Sequence, residues 1–221
     1  MERIADAAAQ LGVALTEPQA GQLAGFLDLL AKWNGVYNLT ALRTREQMLT
    51  HHLLDSLAVV APLRRHLQQV GKHAGNHPET YKARLLDVGA GAGLPGVVIA
   101  VCCPELQVDC VDAVEKKVAF VRQAAAALGL ANLRAIHARV ETLTDRYDLI
   151  SARAFASLAD LVALSIAALA DGGAWLAMKG RRPDDEIAAL PEAIDVFHVE
   201  PLQVPGLHAE RCLVWMRKKT H

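Results

Sequence analysis

A glycine-rich segment in the middle of the chain constrains the fold more than any other feature. The strand-like segment Leu85-Leu86-Asp87-Val88 leads into glycines at positions 89, 91, 93 and 96. Glycine has no Cβ, so the backbone can turn sharply after a strand and approach a ligand closely. Residues 94–101 continue with an apolar, helix-compatible pattern. We therefore predict a strand, a glycine turn and a helix, the opening unit of a parallel α/β sheet.

The pattern of strand, turn and helix continues to the end of the chain. Further strands are predicted at 106–111, 133–138, 148–151 and 174–178, with helices at 114–128, 158–169 and 184–193. Two β-rich runs, 196–204 and 211–217, flank Pro205-Gly206 and predict a closing hairpin. The expected fold is α/β and Rossmann-like: a mostly parallel seven-stranded sheet that includes a C-terminal antiparallel hairpin.

The amino-terminal part shows helical spacing instead. Helices are predicted at 4–13, from a cap at Thr16, and from a Thr-x-x-Gln capping box at Thr44 to about residue 67. Residues 68–82 lose this spacing and collect Gly, Asn, His and Pro, which is typical of a loop. We expect an N-terminal helical cap at 1–67, a linker at 68–83 and the α/β core at 84–221, together forming one structural unit.

Composition excludes several classes of protein. Of 221 residues, 52% are hydrophobic, which is too many for a disordered chain. The longest apolar run, 97–103, is too short to span a membrane, and acidic Glu2 and Asp6 are unlike a secretory signal. The four cysteines lack metal-ligand spacing, so no metal is expected. The net charge of −1 means that any contact with nucleic acid depends on a local basic patch. The protein is expected to be cytoplasmic.

The glycine turn is compatible with two cofactors. Counted from Gly91, it has the G-x-G-x-x-G spacing of dinucleotide-binding proteins; counted from Gly89, it has the Asp-x-Gly-x-Gly-x-Gly form of S-adenosylmethionine enzymes. The carboxylate of Asp87 suits the ammonium and ribose side of S-adenosylmethionine and would repel a pyrophosphate. Asp112, at the end of the second strand, suits the ribose hydroxyls of either cofactor. These residues favour S-adenosylmethionine, while a nicotinamide cofactor and a turn without a ligand remain open.

Two further strand ends carry candidate ligand contacts. After the third strand, the amide of Val140 and the carboxylate of Glu141 are placed to contact an adenine, although the segment also fits a solvated helix start. After the fourth strand, Arg153 would face the ligand crevice. Neither the (Asp/Asn)-Pro-Pro-aromatic tetrad of amino-group methylating enzymes nor a Pro-Cys nucleophile occurs there. The sequence therefore identifies no catalytic residue.

Five blocks of residues together resemble one known family. They are Trp33-Asn34-x-x-Tyr37-Asn38-Leu39-Thr40, His52-x-x-Asp55-Ser56-Leu57, the Gly89 loop with Leu94-Pro95-Gly96, Ser151-Ala152-Arg153-Ala154 and Lys179-Gly180. In this order, over residues 10–217, the chain resembles the RsmG (glucose-inhibited division protein B) family. The resemblance implies methyl transfer from S-adenosylmethionine to N7 of a guanine in bacterial 16S rRNA, with cofactor contacts at Gly89, Leu94, Val140, Glu141 and Arg153.

Guanine N7 agrees with the missing catalytic motifs, because its lone pair carries no proton and needs no general base. Asn38, His52 and Lys179 are the candidate substrate contacts, with Lys179 and Arg153 suited to phosphate or to the base carbonyl. Trp33 could stack on a base, or it could pack in the core. His52 could contact RNA, or it could pair with Asp55.

The partner implied by the resemblance is 16S rRNA, within the small ribosomal subunit or an intermediate of its assembly, and the enzyme is expected to be a monomer. A small-molecule methyltransferase and a non-catalytic ribosome-assembly factor on the same fold remain the alternative functions.

Overall fold

Seven strands form one mixed sheet in the computed structural model, which describes residues 1–73 and 82–219. The strands are β1 (Arg84–Val88), β2 (Gln107–Asp112), β3 (Leu133–His137), β4 (Tyr147–Arg153), β5 (Leu169–Lys179), β6 (Ile194–Pro201) and β7 (Cys212–Lys218). Their order is β3-β2-β1-β4-β5-β7-β6, and β7 is antiparallel to both of its neighbours. The predicted mostly parallel, seven-stranded Rossmann-like sheet with a terminal antiparallel hairpin is confirmed.

Helices cover both faces of the sheet and build the amino-terminal part. They are α1 (Glu2–Gln10), α2 (Glu17–Tyr37), α3 (Arg45–Met48), α4 (Asp55–Leu57), α5 (Val60–His73), α6 (Gly96–Cys102), α7 (Glu115–Leu128), α8 (Leu158–Ser165) and α9 (Asp184–Ala188), with a π-helical segment at Leu49–Leu54 and a 3₁₀ turn at Val140–Thr142. The predicted cap at Thr16 and the predicted capping box at Thr44 both form: Gln19 N–H donates to Thr16, and Gln47 N–H donates to Thr44. These caps satisfy amides at the helix starts.

Successive strand residues supply two hydrophobic clusters on opposite faces of the sheet. Leu85 belongs to the cluster shared with the N-terminal helices, α6 and α7, whereas Leu86 belongs to the cluster that includes α8. On the first face, the rings of Phe26 and Trp33 lie 6.0 and 5.5 Å from that of Phe120 in α7. The N-terminal helices therefore share a core with the sheet, and Trp33 takes the packing role that was its alternative to base stacking.

The helix that precedes the predicted linker extends further than expected. Helix α5 ends at His73, so residues 68–73 are helical, and residues 74–81 of the expected loop lie outside the described part of the chain. Gln and Lys are good helix formers, and one glycine in a helix costs only about 1 kcal/mol, which does not suffice to end it. The helix therefore includes the first six residues of the predicted linker.

Three other helix predictions were too long or too regular. The expected helix 158–169 ends at Ser165, because Leu169 pairs with Tyr147 and opens β5. The expected helix 184–193 ends at Ala188, ahead of strand β6. The expected helix from Thr44 to residue 67 contains the π-helical segment Leu49–Leu54. In the first case strand pairing overrides local helix propensity. In the second, Pro191 lacks an N–H and disfavours a helical conformation at the residue before it.

The register of the parallel strands brings the predicted site segments to one edge of the sheet. Val88 at the end of β1 is level with Val111 of β2 and with Ala152 of β4. The segments after β1, β2 and β4 therefore emerge side by side, where ligands bind in open α/β sheets. Within the described residues, no helix has the length and apolar character needed to cross a membrane.

Candidate cofactor and substrate site

The glycine turn after β1 has a backbone that other residues adopt only with strain. Gly89, Gly91 and Gly93 have φ angles of 63°, 58° and 78°. At Gly93, a Cβ would also lie 2.5 Å from Cγ2 of Val97 and 3.1 Å from Cγ2 of Val121. Both the conformation and the close approach therefore require glycine at this position.

A cavity of about 300 Å³ opens beside this turn. Its walls are Val88, Gly89, Val111, Asp112, Ala113, Ala138, Arg139, Val140, Glu141, Phe155 and Leu164. The cavity therefore brings together four predicted cofactor contacts, Gly89, Asp112, Val140 and Glu141. Apolar walls with a few carboxylate and amide groups suit a nucleoside, and the volume lies at the lower end of the range for ligand sites.

Asp112 connects the turn after β1 to the turn after β2. Its Oδ2 accepts a hydrogen bond from Gly91 N–H at 2.9 Å, and its Oδ1 accepts one from Val114 N–H at 2.8 Å. Lys117 Nζ lies 3.7 Å from Oδ2. The side chain remains 9% exposed at the cavity wall, so its carboxylate can accept further hydrogen bonds from ribose hydroxyls. Gly91 contributes through its amide and does not line the cavity.

Glu141 lines the cavity and lies in the 3₁₀ turn after β3. A hydrogen bond from its own backbone amide and then one from Arg139 hold the pKa of this carboxyl below its usual value. The Arg139 Nε donates to Glu141 Oε1 at 2.7 Å. Glu141 is therefore an ionised acceptor at the cavity rim, next to buried Val140.

Asp87 is buried and does not face the cavity, unlike the position proposed for it from the sequence. Its Oδ2 accepts from Gly96 N–H at 2.9 Å, and its Oδ1 accepts from Ser151 Oγ at 2.8 Å. Burial raises the pKa of Asp87 to about 6. The carboxyl group ties the start of α6 to β4, so its role is to hold the turn in place. Leu94 is likewise buried and is not among the residues that line the cavity.

Arg153, at the end of β4, contacts the N-terminal helices. Its Nη1 donates to the His51 carbonyl at 2.9 Å and to Asp55 Oδ2 at 3.0 Å. The other oxygen of Asp55 accepts from Arg211 Nε at 2.8 Å. One buried carboxylate therefore joins two arginines, one from β4 and one from the residue before β7, and the three side chains carry a net positive charge.

His52 lies in the π-helical segment and contacts Thr40 and Arg153, whereas its pairing with Asp55 is not observed. Its Nε2 is 2.6 Å from Thr40 Oγ1, and its Nδ1 is 3.3 Å from Arg153 Nη2. Burial, and then the charge of Arg153, lower the pKa of His52 to about 4. This imidazole is therefore neutral near pH 7.

The other two predicted substrate contacts are engaged within the protein. Lys179 Nζ donates to Glu186 Oε2 at 2.8 Å and to the Ala156 carbonyl at 3.0 Å. Asn38 ends α2 with a φ angle of 50°, and its Oδ1 accepts from Arg43 at 2.8 Å. Asn38, His52 and Lys179 thus lie on three separate segments and do not line the cavity at the glycine turn.

Phe155 and Asp55 are the residues of the site to which sequence reasoning gave no role of their own. A Cβ on Gly89 would lie 3.0 Å from Cδ2 of Phe155, so the ring lies against the glycine turn. The aromatic residue two positions beyond Arg153 was a signal for the first. Asp55 was visible as the acid of the His52-x-x-Asp55 block, but its arginine partners are 98 and 156 residues away.

Comparisons with known proteins agree with this geometry. Residues 19–214 match the GidB family, described as rRNA small subunit methyltransferase G. The chain is 63% identical over 207 residues to ribosomal RNA small subunit methyltransferase G of Acidovorax sp. (strain JS42), covering 94% of this chain and 90% of that protein. It is 62% identical over 209 residues to the protein of that name from Paracidovorax citrulli (strain AAC00-1), covering 95% and 86%.

A solved structure supports the fold alone. The crystal structure of TrmN from Thermus thermophilus matches with a TM-score of 0.54 and 22% identity, covering 74% of this chain and 49% of that one. The predicted Rossmann-like fold is thereby confirmed. S-adenosylmethionine as cofactor is confirmed by the family match and by the similar relatives. Because the family match covers most of the chain and the relatives are so similar, the chain belongs to the GidB family of S-adenosylmethionine-dependent rRNA small subunit methyltransferases.

Proposed function

We propose that this protein transfers the methyl group of S-adenosylmethionine to N7 of a guanine in 16S rRNA of the small ribosomal subunit. Family membership supports the class of reaction, and the names of relatives more than 60% identical support the small-subunit substrate. A small-molecule methyltransferase and a non-catalytic assembly factor are not favoured by these relatives. The partner is the subunit or an assembly intermediate, bound by a monomer in the cytoplasm.

One observation carries the choice of N7: the polar side chain at the carboxyl end of β4 is the guanidinium of Arg153. A guanidinium remains protonated and cannot accept a proton from a substrate amine. The carboxyl group of Asp87 is enclosed by Gly96 and Ser151, and so it cannot reach a substrate. Guanine N7 has a lone pair in the plane of the base and no proton, so its methylation requires no base.

The residues of the cavity fit S-adenosylmethionine. The sulfonium of that cofactor supplies an electrophilic methyl group. Asp112 would accept hydrogen bonds from the ribose, the amide of Val140 and the carboxylate of Glu141 would contact the adenine edge, and Gly89 would allow close approach beside β1. The net positive charge around Arg153 suits a carboxylate of the cofactor or an acceptor of the substrate. Catalysis then rests on alignment of the reacting atoms, for which effective molarities of about 10⁵ to 10⁸ M are known.

The test is transfer from methyl-labelled S-adenosylmethionine to unmodified small subunits, with naked rRNA and tRNA in parallel. We expect label at a guanine N7, detected by strand scission after reduction and aniline treatment. Asp112→Asn should reduce the transfer at limiting cofactor, whereas Asp6→Asn, an exposed acid on α1, should not. Cofactor binding without transfer to any RNA would contradict the proposal.

A further inference from the structure

A second, larger cleft lies at the same edge of the sheet as the glycine turn. Its volume is about 780 Å³, and it separates the loop after β5 from the connection between β6 and β7. Apolar side chains line part of it, namely Val199, Pro201, Leu202, Val204 and Leu207. Three arginines, Arg181, Arg182 and Arg211, line the cleft as well. The cleft therefore combines an apolar surface with cationic groups.

The three arginines differ in how far the protein itself satisfies them. Arg182 Nε donates to Asp184 at 2.6 Å, so its charge is neutralised. Arg181 is exposed and has no hydrogen bond or ion pair with any residue that the structure describes. Arg211 donates from Nε to Asp55 and from Nη1 to the Glu210 carbonyl, which accounts for two of the five N–H donors of a guanidinium. Arg181 and Arg211 thus retain donors for a ligand.

Asp55 holds the guanidinium of Arg211 in a fixed orientation. Its side chain is 5% exposed, against 23% for Arg211 and 17% for Arg153. One carboxylate between two guanidinium groups leaves one positive charge uncompensated, and neutral His52 beside Arg153 adds none. The opposing charge at the cleft is Glu210, whose side chain is exposed, and His208 also lines the wall. The balance of Arg181, the Asp55 cluster and Glu210 is positive.

The order of the strands places this cleft beside the reacting position. Strand β5 lies between β4 and β7, and Met178 of β5 is level with Arg153 of β4. Lys179 is level with Cys212, so the loop after β5 and Arg211 leave the same edge of the sheet. The cleft therefore adjoins Arg153 on the side away from the nucleoside cavity, which lies over β1, β2 and β3.

We propose that this cleft binds a nucleotide of single-stranded RNA next to the target guanine, an inference that rests on the proposed function. Arg181 and Arg211 hold the phosphodiester, and the apolar wall receives the unstacked base and ribose. Sequence-specific RNA recognition favours single-stranded segments because only unpaired bases expose their faces to such surfaces. This local patch reconciles an RNA substrate with a net charge of −1 for the whole chain.

The test compares Arg181→Gln, Arg211→Lys and Arg217→Gln in binding to a single-stranded fragment of 16S rRNA, with S-adenosylhomocysteine present. Arg217 is the matched control, because it lies at the opposite end of β7, about 20 Å away, and pairs with Asp195. Arg211→Lys keeps a positive charge beside Asp55 and removes the forked donor. Thermal unfolding verifies that each variant is folded.

We expect Arg181→Gln and Arg211→Lys each to weaken RNA binding about tenfold. Arg181→Gln should also lower the slope of log Kd against log salt by about 0.7, the contribution of one phosphate of a single strand. The affinity of Arg181→Gln for S-adenosylhomocysteine should stay at the value of the unsubstituted protein. The control should change neither the RNA affinity nor the affinity for S-adenosylhomocysteine.

Two results would overturn this inference. The first is RNA affinity of Arg181→Gln and Arg211→Lys equal to that of the control. The second is that these two variants bind the intact subunit more weakly but bind naked RNA normally. In that case the cleft would bind a ribosomal protein and not RNA. Failure of the proposed function gives a different result, since the unsubstituted protein would then transfer no methyl group to rRNA.

Discussion

The carboxylate of Asp87 accepts a hydrogen bond from the backbone amide of Gly96 at 2.9 Å, at a point fully shielded from water. This bond joins the penultimate residue of β1 to the first residue of α6 and so fixes both ends of the glycine turn. Ser151 of β4 donates to the second oxygen at 2.8 Å. Asp87 therefore supports the cofactor site by holding the glycine turn in place, without contacting the cavity.

Asp87→Asn should change how stability depends on pH. Burial raises the pKa of Asp87 from 3.8 to about 6, so its contribution to stability is complete below about pH 4 and is lost as pH rises through 6. Asparagine can accept from Gly96 and donate to Ser151 without ionising. In urea unfolding, the free energy of unfolding of the variant minus that of the unsubstituted protein should therefore increase by about 1–2 kcal/mol from pH 5 to pH 8. A difference that is constant with pH would show that the acid titrates normally.

Gly96→Ala tests how closely the turn is packed. An added Cβ would overlap Cys110 Sγ and lie 2.9 Å from Asp87 Oδ2, both fully buried. Such overpacking typically costs about 1–3 kcal/mol of unfolding free energy. Gly35→Ala, on exposed α2 surface with no atom within 4 Å of the added Cβ, should instead gain about 0.5–1 kcal/mol. Equal effects of the two substitutions in chemical denaturation would disprove the packing argument.

Local patterns predicted the parts of the fold that depend on local interactions. The capping boxes at Thr16 and Thr44 satisfy amides within one turn, and the two residues of each box are three positions apart in sequence. Strand β1 and its glycine turn follow from apolar residues and missing Cβ atoms, which are also local properties. By contrast, the early end of α8 depends on pairing of Leu169 with Tyr147. Helix propensity is a local property and does not contain this contact between distant residues.

The candidate site was predictable where backbone position alone determines it. Gly89, Asp112, Val140 and Glu141 follow three neighbouring parallel strands, so the alternation of strands and helices suffices to bring them to one cavity. Arg153 follows the same rule, but its side-chain partners do not. Asp55 reaches it from 98 residues away because the N-terminal helices pack beside the sheet, and no local pattern contains that geometry.

His52 should remain neutral in the folded protein down to about pH 5. Burial and the neighbouring Arg153 lower its pKa from 6.5 to about 4, so the unfolded chain binds a proton in that interval and the folded protein does not. Stability therefore falls as pH drops from 6.5 to 4. His52→Gln should reduce this loss, measured by unfolding at pH 7 and pH 5. The imidazole resonance of His52, assigned by its absence in the variant, should not titrate above pH 5; titration near 6.5 would contradict the prediction.

Asp112→Asn should weaken the cofactor site more than it weakens the fold. The amide has one acceptor oxygen where the carboxylate has two, so it cannot serve Gly91, Val114 and the ribose hydroxyls together. Hydrogen bonds to a charged group contribute about 1.5–3 kcal/mol, so the affinity for S-adenosylhomocysteine should fall at least tenfold in calorimetric titration. Asp6→Asn, with the same chemical change on exposed α1, should bind normally. If Asp112→Asn also binds normally, then Asp112 only ties the two turns together, and ribose recognition must lie with other groups of the cavity.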